Sequence, residues 1–299
     1  MTTCLLLGLV LLGGPIESRR IVVSPRESLH VELAGAGPAV VLIPGLFGSA
    51  YGFRLVVPLL VAAGYRTIVI EPLAIGASSR PDGVDYSAGA QAARLAAVLD
   101  TLDVRHALVV AHSAAASEAF RMAYLRPDLV AGLLSIESGP AEAIATPGFR
   151  HEMRFAPLLR LFGIGFLRRK IRGELVSSSG DPAWVTDEVV RAYTESAARN
   201  LAGTLTAFRA MSQARETEPL APHLAAIHVP VALLVGTARH DGAVLPGEIE
   251  LMERTFASFQ VESVAGGGHF LQEERPDAVV AALEHLRSRV TSAAVVAGR

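Results

Sequence analysis

Apolar positions along the chain fall into two rhythms. Short apolar runs of buried-strand type occur at residues 39–43, 67–70, 107–111, 133–136, 231–235 and 261–264. Between them, helical spacing of apolar residues predicts helices over 53–63, 90–99, 114–125, 248–256 and 278–289, with Gly64 as a C-terminal cap and Ser87 as an N-terminal one. Residues 20–24 and 29–33 read as an antiparallel pair joined across Pro25. Strand and helix alternating at this interval imply a mostly parallel sheet with helices on both faces, an α/β fold.

The rhythm breaks from about Gly139 to Leu220, where only helical patterns occur: 155–162, 187–198 with Thr186 as a cap, and 201–211. This predicts an α/β core made of residues 18–139 and 221–290, interrupted by a helical insertion over 140–220. Residues 1–17 form an apolar N-terminal segment, and the small, apolar tail 291–299 is expected to fray.

With 299 residues, 51% hydrophobic and 19% charged, the chain can bury a large core. A net charge of −2 with scattered basic residues argues against a nucleic-acid partner. The one cysteine, Cys4, cannot form an internal disulfide, and the scarcity of cysteines and of clustered histidines gives no zinc pattern. Residues 5–12 have the length of a signal-peptide apolar region but not of a membrane span. No Lys or Arg precedes them and no clean cleavage site follows, yet export or tethering is the expectation set against a surface extension; membrane contact and oligomeric state stay open.

The chemistry gathers at Ala111-His112-Ser113-Ala114-Ala115. A serine pinched between a strand and a helix, with only small residues two places away on either side, matches a nucleophile elbow. The helix behind it favours developing negative charge. A serine hydroxyl needs a base to take its proton and a third group to hold that base. The base candidate is His269, which follows the last strand on the glycine-rich stretch Gly266-Gly267-Gly268. Two carboxylates compete for the third role. Asp241 lies past the 231–235 strand and is favoured slightly, while Glu137 ends the 133–136 strand; in a parallel sheet the carboxyl ends share one edge, so either can reach His269. An oxyanion needs fixed N–H donors. The elbow supplies Ala114, and the turn Pro44-Gly45-Leu46-Phe47-Gly48 supplies Leu46.

These stretches, together with the 73–79 loop and the run from Gly268 to Pro276, resemble the α/β-hydrolase superfamily in order and spacing. The resemblance covers roughly residues 18–290. It is nearest to the capped branch that holds esterases, carbon–carbon bond hydrolases, cofactor-free haloperoxidases, epoxide hydrolases and haloalkane dehalogenases. It implies Ser113 as nucleophile, His269 as base, Leu46 and Ala114 as the oxyanion hole, and residues near 140–220 as a lid. There are departures: Pro44 stands where the family has histidine, and Ala111 and Ala115 replace the elbow glycines. Epoxide hydrolases and dehalogenases carry aspartate at the elbow, so Ser113 disfavours both. The interval from Asp241 to His269 resembles the family's, yet Glu137 matches the alternative acid of some dehalogenases.

The resulting expectation is a serine hydrolase acting on a small or medium hydrophobic carboxylic ester, with no metal or organic cofactor. The rivals are a carbon–carbon bond hydrolase or haloperoxidase/perhydrolase using the same triad, and a non-catalytic ligand-binding receptor. In the insertion, Phe155, Leu158, Leu159, Leu161, Phe162, Ile164 and Phe166 are expected either to pack the lid on the core or to line an apolar pocket. The basic cluster Arg168-Arg169-Lys170-Ile171-Arg172 reads first as a solvated helix face.

Overall fold

The computed structural model describes residues 15–141 and 147–297. The apolar N-terminal run at 5–12 lies outside the described residues. Eight strands form one sheet: β1 (Glu17–Ser24), β2 (Glu27–Ala34), β3 (Ala39–Ile43), β4 (Arg66–Glu71), β5 (Ala107–His112), β6 (Val130–Ile136), β7 (Val231–Gly236) and β8 (Phe259–Val264). Their order is β1-β2-β4-β3-β5-β6-β7-β8. β2 runs antiparallel to both β1 and β4, and every other pairing is parallel.

Alternation within the apolar runs builds two cores. Val40 and Leu42 of β3, with Leu108 and Val110 of β5, face one side. There they meet α1 (Val56–Ala62) and α10 (Pro276–Ala297). Val41 and Ile43, with Val109 and Ala111, face the other side and meet α2 (Ala88–Thr101), α3 (Ala115–Leu125) and α8 (Pro246–Thr255). Burial on both faces explains why these strands read as continuous apolar runs.

Two helix boundaries differ from expectation for stated reasons. Pro58 lacks an N–H and is tolerated only in a first turn, so α1 begins at Val56 and residues 50–53 form a separate 3-10 turn. α10 runs on to Ala297, past the expected helix end at 289, continuing a helix already anchored by buried Leu283 and Leu286. Gly64 takes φ +85° past α1, and the Ser87 hydroxyl accepts from Ala90 N–H at 3.2 Å.

Between β6 and β7 come α4 (Pro147–Met153), α5 (Ala156–Ser177), α6 (Asp187–Arg199) and α7 (Leu201–Gln213). They divide in their packing. Phe149 and Met153 of α4, with Leu205, Phe208 and Met211 of α7, join the main core. Ile171, Leu175, Val189, Val190 and Tyr193 form a small cluster of their own between α5 and α6. The apolar stripe does neither of the things expected of it: Phe155, Leu161, Phe162 and Phe166 are exposed, and Ile164 is half-buried. The side chains of Leu158 and Leu159 lie outside the described residues. The basic cluster pairs locally, Lys170 with Glu152 at 2.8 Å and with Glu174 at 3.3 Å, and Arg172 with Asp187. No helix among the described residues is long and apolar enough to cross a membrane.

A buried carboxylate at the end of β4 ties two loops and strand β2 together. Glu71 Oε1 accepts from Ala50 N–H at 2.7 Å; Oε2 accepts from Ala77 N–H at 2.5 Å and from the His30 ring at 3.0 Å. An amide at this position would bring an NH₂ against these donors. Glu71→Gln is therefore expected to cost about 2–4 kcal/mol of unfolding free energy in urea titration. The hydrogen bond to Glu71 raises His30 above its ordinary value. The folded value lies above the unfolded one, so this contribution is complete below about pH 6.5 and is lost as pH climbs through the raised value. The stability gap between wild type and Glu71→Gln is accordingly expected to narrow over that rise.

Candidate active site

Strands β3, β5, β6 and β7 are parallel, so their carboxyl ends reach one edge, and the residues singled out by sequence lie just beyond them. Ser113 follows β5 and takes φ +53°. For a residue with a β-carbon this is a sparsely populated conformation, costing on the order of 1–3 kcal/mol and persisting only where the surroundings impose it. Ser113 N–H is fixed to the Ile136 carbonyl at 2.9 Å, and α3 starts two residues later. Ala111 and Ala115 are fully packed, which accounts for small residues on both flanks. Phe47, in the turn after β3, and Glu137, at the end of β6, also have positive φ, 65° and 55°. Three of the six such non-glycine residues among those described thus sit around this edge.

The turn after β3 presses against the elbow. A β-carbon on Gly45 would come within 2.7 Å of the His112 carbonyl oxygen and 3.1 Å of Ser113 Cβ, so only glycine allows the approach. The N–H groups of Leu46 and Ala114 make no hydrogen bond among the described residues. That leaves two backbone donors available beside Ser113.

His269 lies beyond β8. The stretch before it reads as a mobile glycine loop in sequence, but Gly267 and Gly268 are buried in a close backbone crossing. A β-carbon on Gly268 would lie 2.3 Å from Gly180 N, and one on Gly236 would lie 2.1 Å from the Gly267 oxygen. His269 itself is gripped from both sides: its N–H donates to the Ser178 carbonyl at 2.7 Å, and its carbonyl accepts from His112 Nε2 at 2.9 Å. The His112 and His269 rings stand 4.9 Å apart. Burial pushes His112 down to about 4, so it is neutral at pH 7 and serves as a clamp. Burial, with His112 and His240 nearby, also holds His269 well below its ordinary value. Among the described residues no hydrogen bond joins Ser113 to the His269 ring.

The two candidate acids separate sharply. Glu137 is 2% exposed. Oε1 accepts the Gly236 N–H, and Oε2 lies 3.2 Å from His240 Nε2. Donor atoms of Glu137, His240 and His269 all fall within 4.8 Å of one another. Burial raises Glu137 above its ordinary value, with Gly236 and His240 pulling the other way. Asp241, favoured slightly in sequence, is exposed and makes no hydrogen bond to His269. The turn after β7 points His240 inward in its place, and Gly242 passes against the His269 ring. His240 was not singled out in sequence: its neighbour Asp241 matched the expected pattern, and nothing in a single chain marks which of two adjacent turn residues faces in.

A narrow crevice opens beside His112, one residue from Ser113. Leu46, Phe47 and Phe270 line it from the core side, and Ile171, Leu175 and Tyr193 from α5 and α6.

Comparison with known proteins places these features. Epoxide hydrolase A of Mycobacterium tuberculosis is 28% identical over 324 aligned positions, taking in 91% of this chain and 97% of that protein. The sn-1-specific diacylglycerol lipase of Xenopus laevis is 30% identical over 116 positions, 38% of this chain, and the match spans about a third (36%) of the lipase. The crystal structure of Cfl2 from Burkholderia cenocepacia superposes with a TM-score of 0.76 at 24% identity, covering 95% of this chain and 98% of that one. The family model for the alpha/beta hydrolase fold matches residues 38–276, from β3 to the start of α10, so the chain belongs to the α/β-hydrolase family and is a hydrolase.

Proposed function

We propose that the protein is a serine hydrolase that cleaves small or medium hydrophobic carboxylic esters through an acyl-enzyme. The observation that carries this reading is Ser113 itself, a serine held at φ +53° between two unoccupied backbone N–H groups. In the relatives that open epoxides or remove halide, the resemblance puts aspartate at this position. The lipase likeness supports an ester in its place.

In this reading His269 takes the proton as Ser113 Oγ attacks the ester carbonyl carbon. Burial keeps the ring unprotonated at neutral pH, ready to accept. Negative charge that develops on the carbonyl oxygen is met by the N–H groups of Leu46 and Ala114. Collapse expels the alcohol, which leaves with the proton from His269. Water then attacks the acyl-enzyme by the same route and releases the acid. Glu137 serves as the third group: its buried carboxylate stabilises the imidazolium that forms, a role an exposed Asp241 performs poorly in water. The inserted helices act as a cap, and the crevice under Ile171 and Tyr193 takes the apolar part of the substrate.

Ser113→Ala is expected to lower kcat/KM on p-nitrophenyl esters by about 10⁴-fold or more while keeping the native circular dichroism spectrum. A fluorophosphonate probe should label the wild type stoichiometrically and that variant not at all; an unlabelled wild type would instead mark a ligand-binding protein. Between the acids, Glu137→Gln is expected to lose roughly 10³–10⁴-fold in kcat. Asp241→Asn should lose little, and the reverse ranking would return the role to Asp241.

A further inference from the structure

His240 Nδ1 lies 2.7 Å from the Ala238 carbonyl oxygen, which only accepts, so that nitrogen carries a hydrogen. Its Nε2 faces Glu137 Oε2 at 3.2 Å. Both side chains are 1% exposed, so water does not separate them. A buried ring nitrogen and a carboxylate oxygen held this close share a cation between them, a proton or a metal ion.

The surroundings suit a metal ion. A ligating histidine characteristically donates its far ring N–H to a carbonyl, and a ligating carboxylate is itself hydrogen-bonded. Ala238 does the first for His240, and Gly236 N–H does the second for Glu137. A third donor is at hand. His269 Nδ1 is buried with no well-formed hydrogen bond, having only the Gly242 backbone beside it, and the three residues' donor atoms lie within 4.8 Å of one another.

We propose that Glu137, His240 and His269 together bind one zinc(II) ion, or a similar borderline divalent cation, and that the bound ion switches the enzyme off. Zinc bonds of about 2.0–2.2 Å in a tetrahedron set ligand atoms roughly 3.3 Å apart. Glu137 and His240 already stand at that separation, a small rotation of the His269 ring completes three ligands, and water takes the fourth position. The covering turn is exposed at Arg239, Asp241 and Gly242, which gives the ion a way in. The switching part rests on His269 being the base for Ser113. Coordination through Nδ1 leaves the ring hydrogen on Nε2, where the serine proton has to go, and it removes Glu137 from its partner. No other bond is made or broken: the ion takes the place of the proton shared between Glu137 and His240, which leaves to solvent, and the ion is displaced in turn by a chelator.

The test is calorimetric titration of the full chain with zinc, with ester turnover measured in the same samples. Cobalt(II) is used in parallel as a spectroscopic and paramagnetic probe. One equivalent is expected to bind in the micromolar range, turnover to fall in step with occupancy, and EDTA to restore it. Cobalt should broaden the His240 and His269 ring signals in NMR, which identifies the ligands without any substitution. His240→Gln and Glu137→Gln, each checked by circular dichroism, are expected to weaken zinc tenfold or more. His223→Gln, at a partly exposed histidine elsewhere, should not. Failure to bind one equivalent, or equal affinity in the His240→Gln and Glu137→Gln variants, overturns the site. Binding that leaves turnover untouched overturns the switch. A chain that binds zinc through His240 but turns over no ester leaves the metal site standing and sinks the ester reading alone.

Discussion

The parallel register of β3, β5, β6 and β7 is the constraint on which everything else depends. Pairing of Ile43 with Ala111, His112 with Ile136, and Ile136 with Leu234 brings four strand ends to one level. The residue after each end must then leave the sheet sharply, and Ser113 and Glu137 do so with positive φ. Such backbone is costly, but it is imposed by a core packed on both faces, with Val109, Val110, Leu133 and Leu134 all buried. Rigid strands therefore supply the placement, and loops supply the chemistry.

From that edge the electrostatics follow. The site is buried, and burial moves His112 and His269 down and Glu137 up. A neutral His269 ring is able to accept a proton, while a buried carboxylate near it favours the imidazolium without taking the proton itself. The same low polarity means that His240 and Glu137, 3.2 Å apart, share a positive charge between them.

Much of this was legible in the chain, and the failures have physical causes. Buried parallel strands announce themselves as continuous apolar runs, so β3 was read to the residue and β5 to within one, and Ser113 and His269 lie after strand ends as expected. Pro58 hid the true start of α1 within an unbroken apolar period, and α10 outran its pattern because helix propensity needs no apolar face. The stripe at 155–166 was misjudged because apolar spacing says that a helix has a sticky side, not what covers it. Which of Asp241 and His240 faces inward was not legible, because side-chain direction in a turn is set by contacts with remote segments, here Gly236 and the His269 ring, that spacing does not encode.

The hydrogen bond from the His112 ring to the His269 carbonyl has a mechanical consequence. The turn at Ser113 and the loop 157 residues downstream are riveted together by His112, the neighbour of Ser113, while Ser178 holds the same loop from the other side. Ser113 and His269 therefore ride on one stiff joint and drift as a unit under thermal agitation. Their alignment survives breathing of the helices above, and it is lost all at once when that rivet goes.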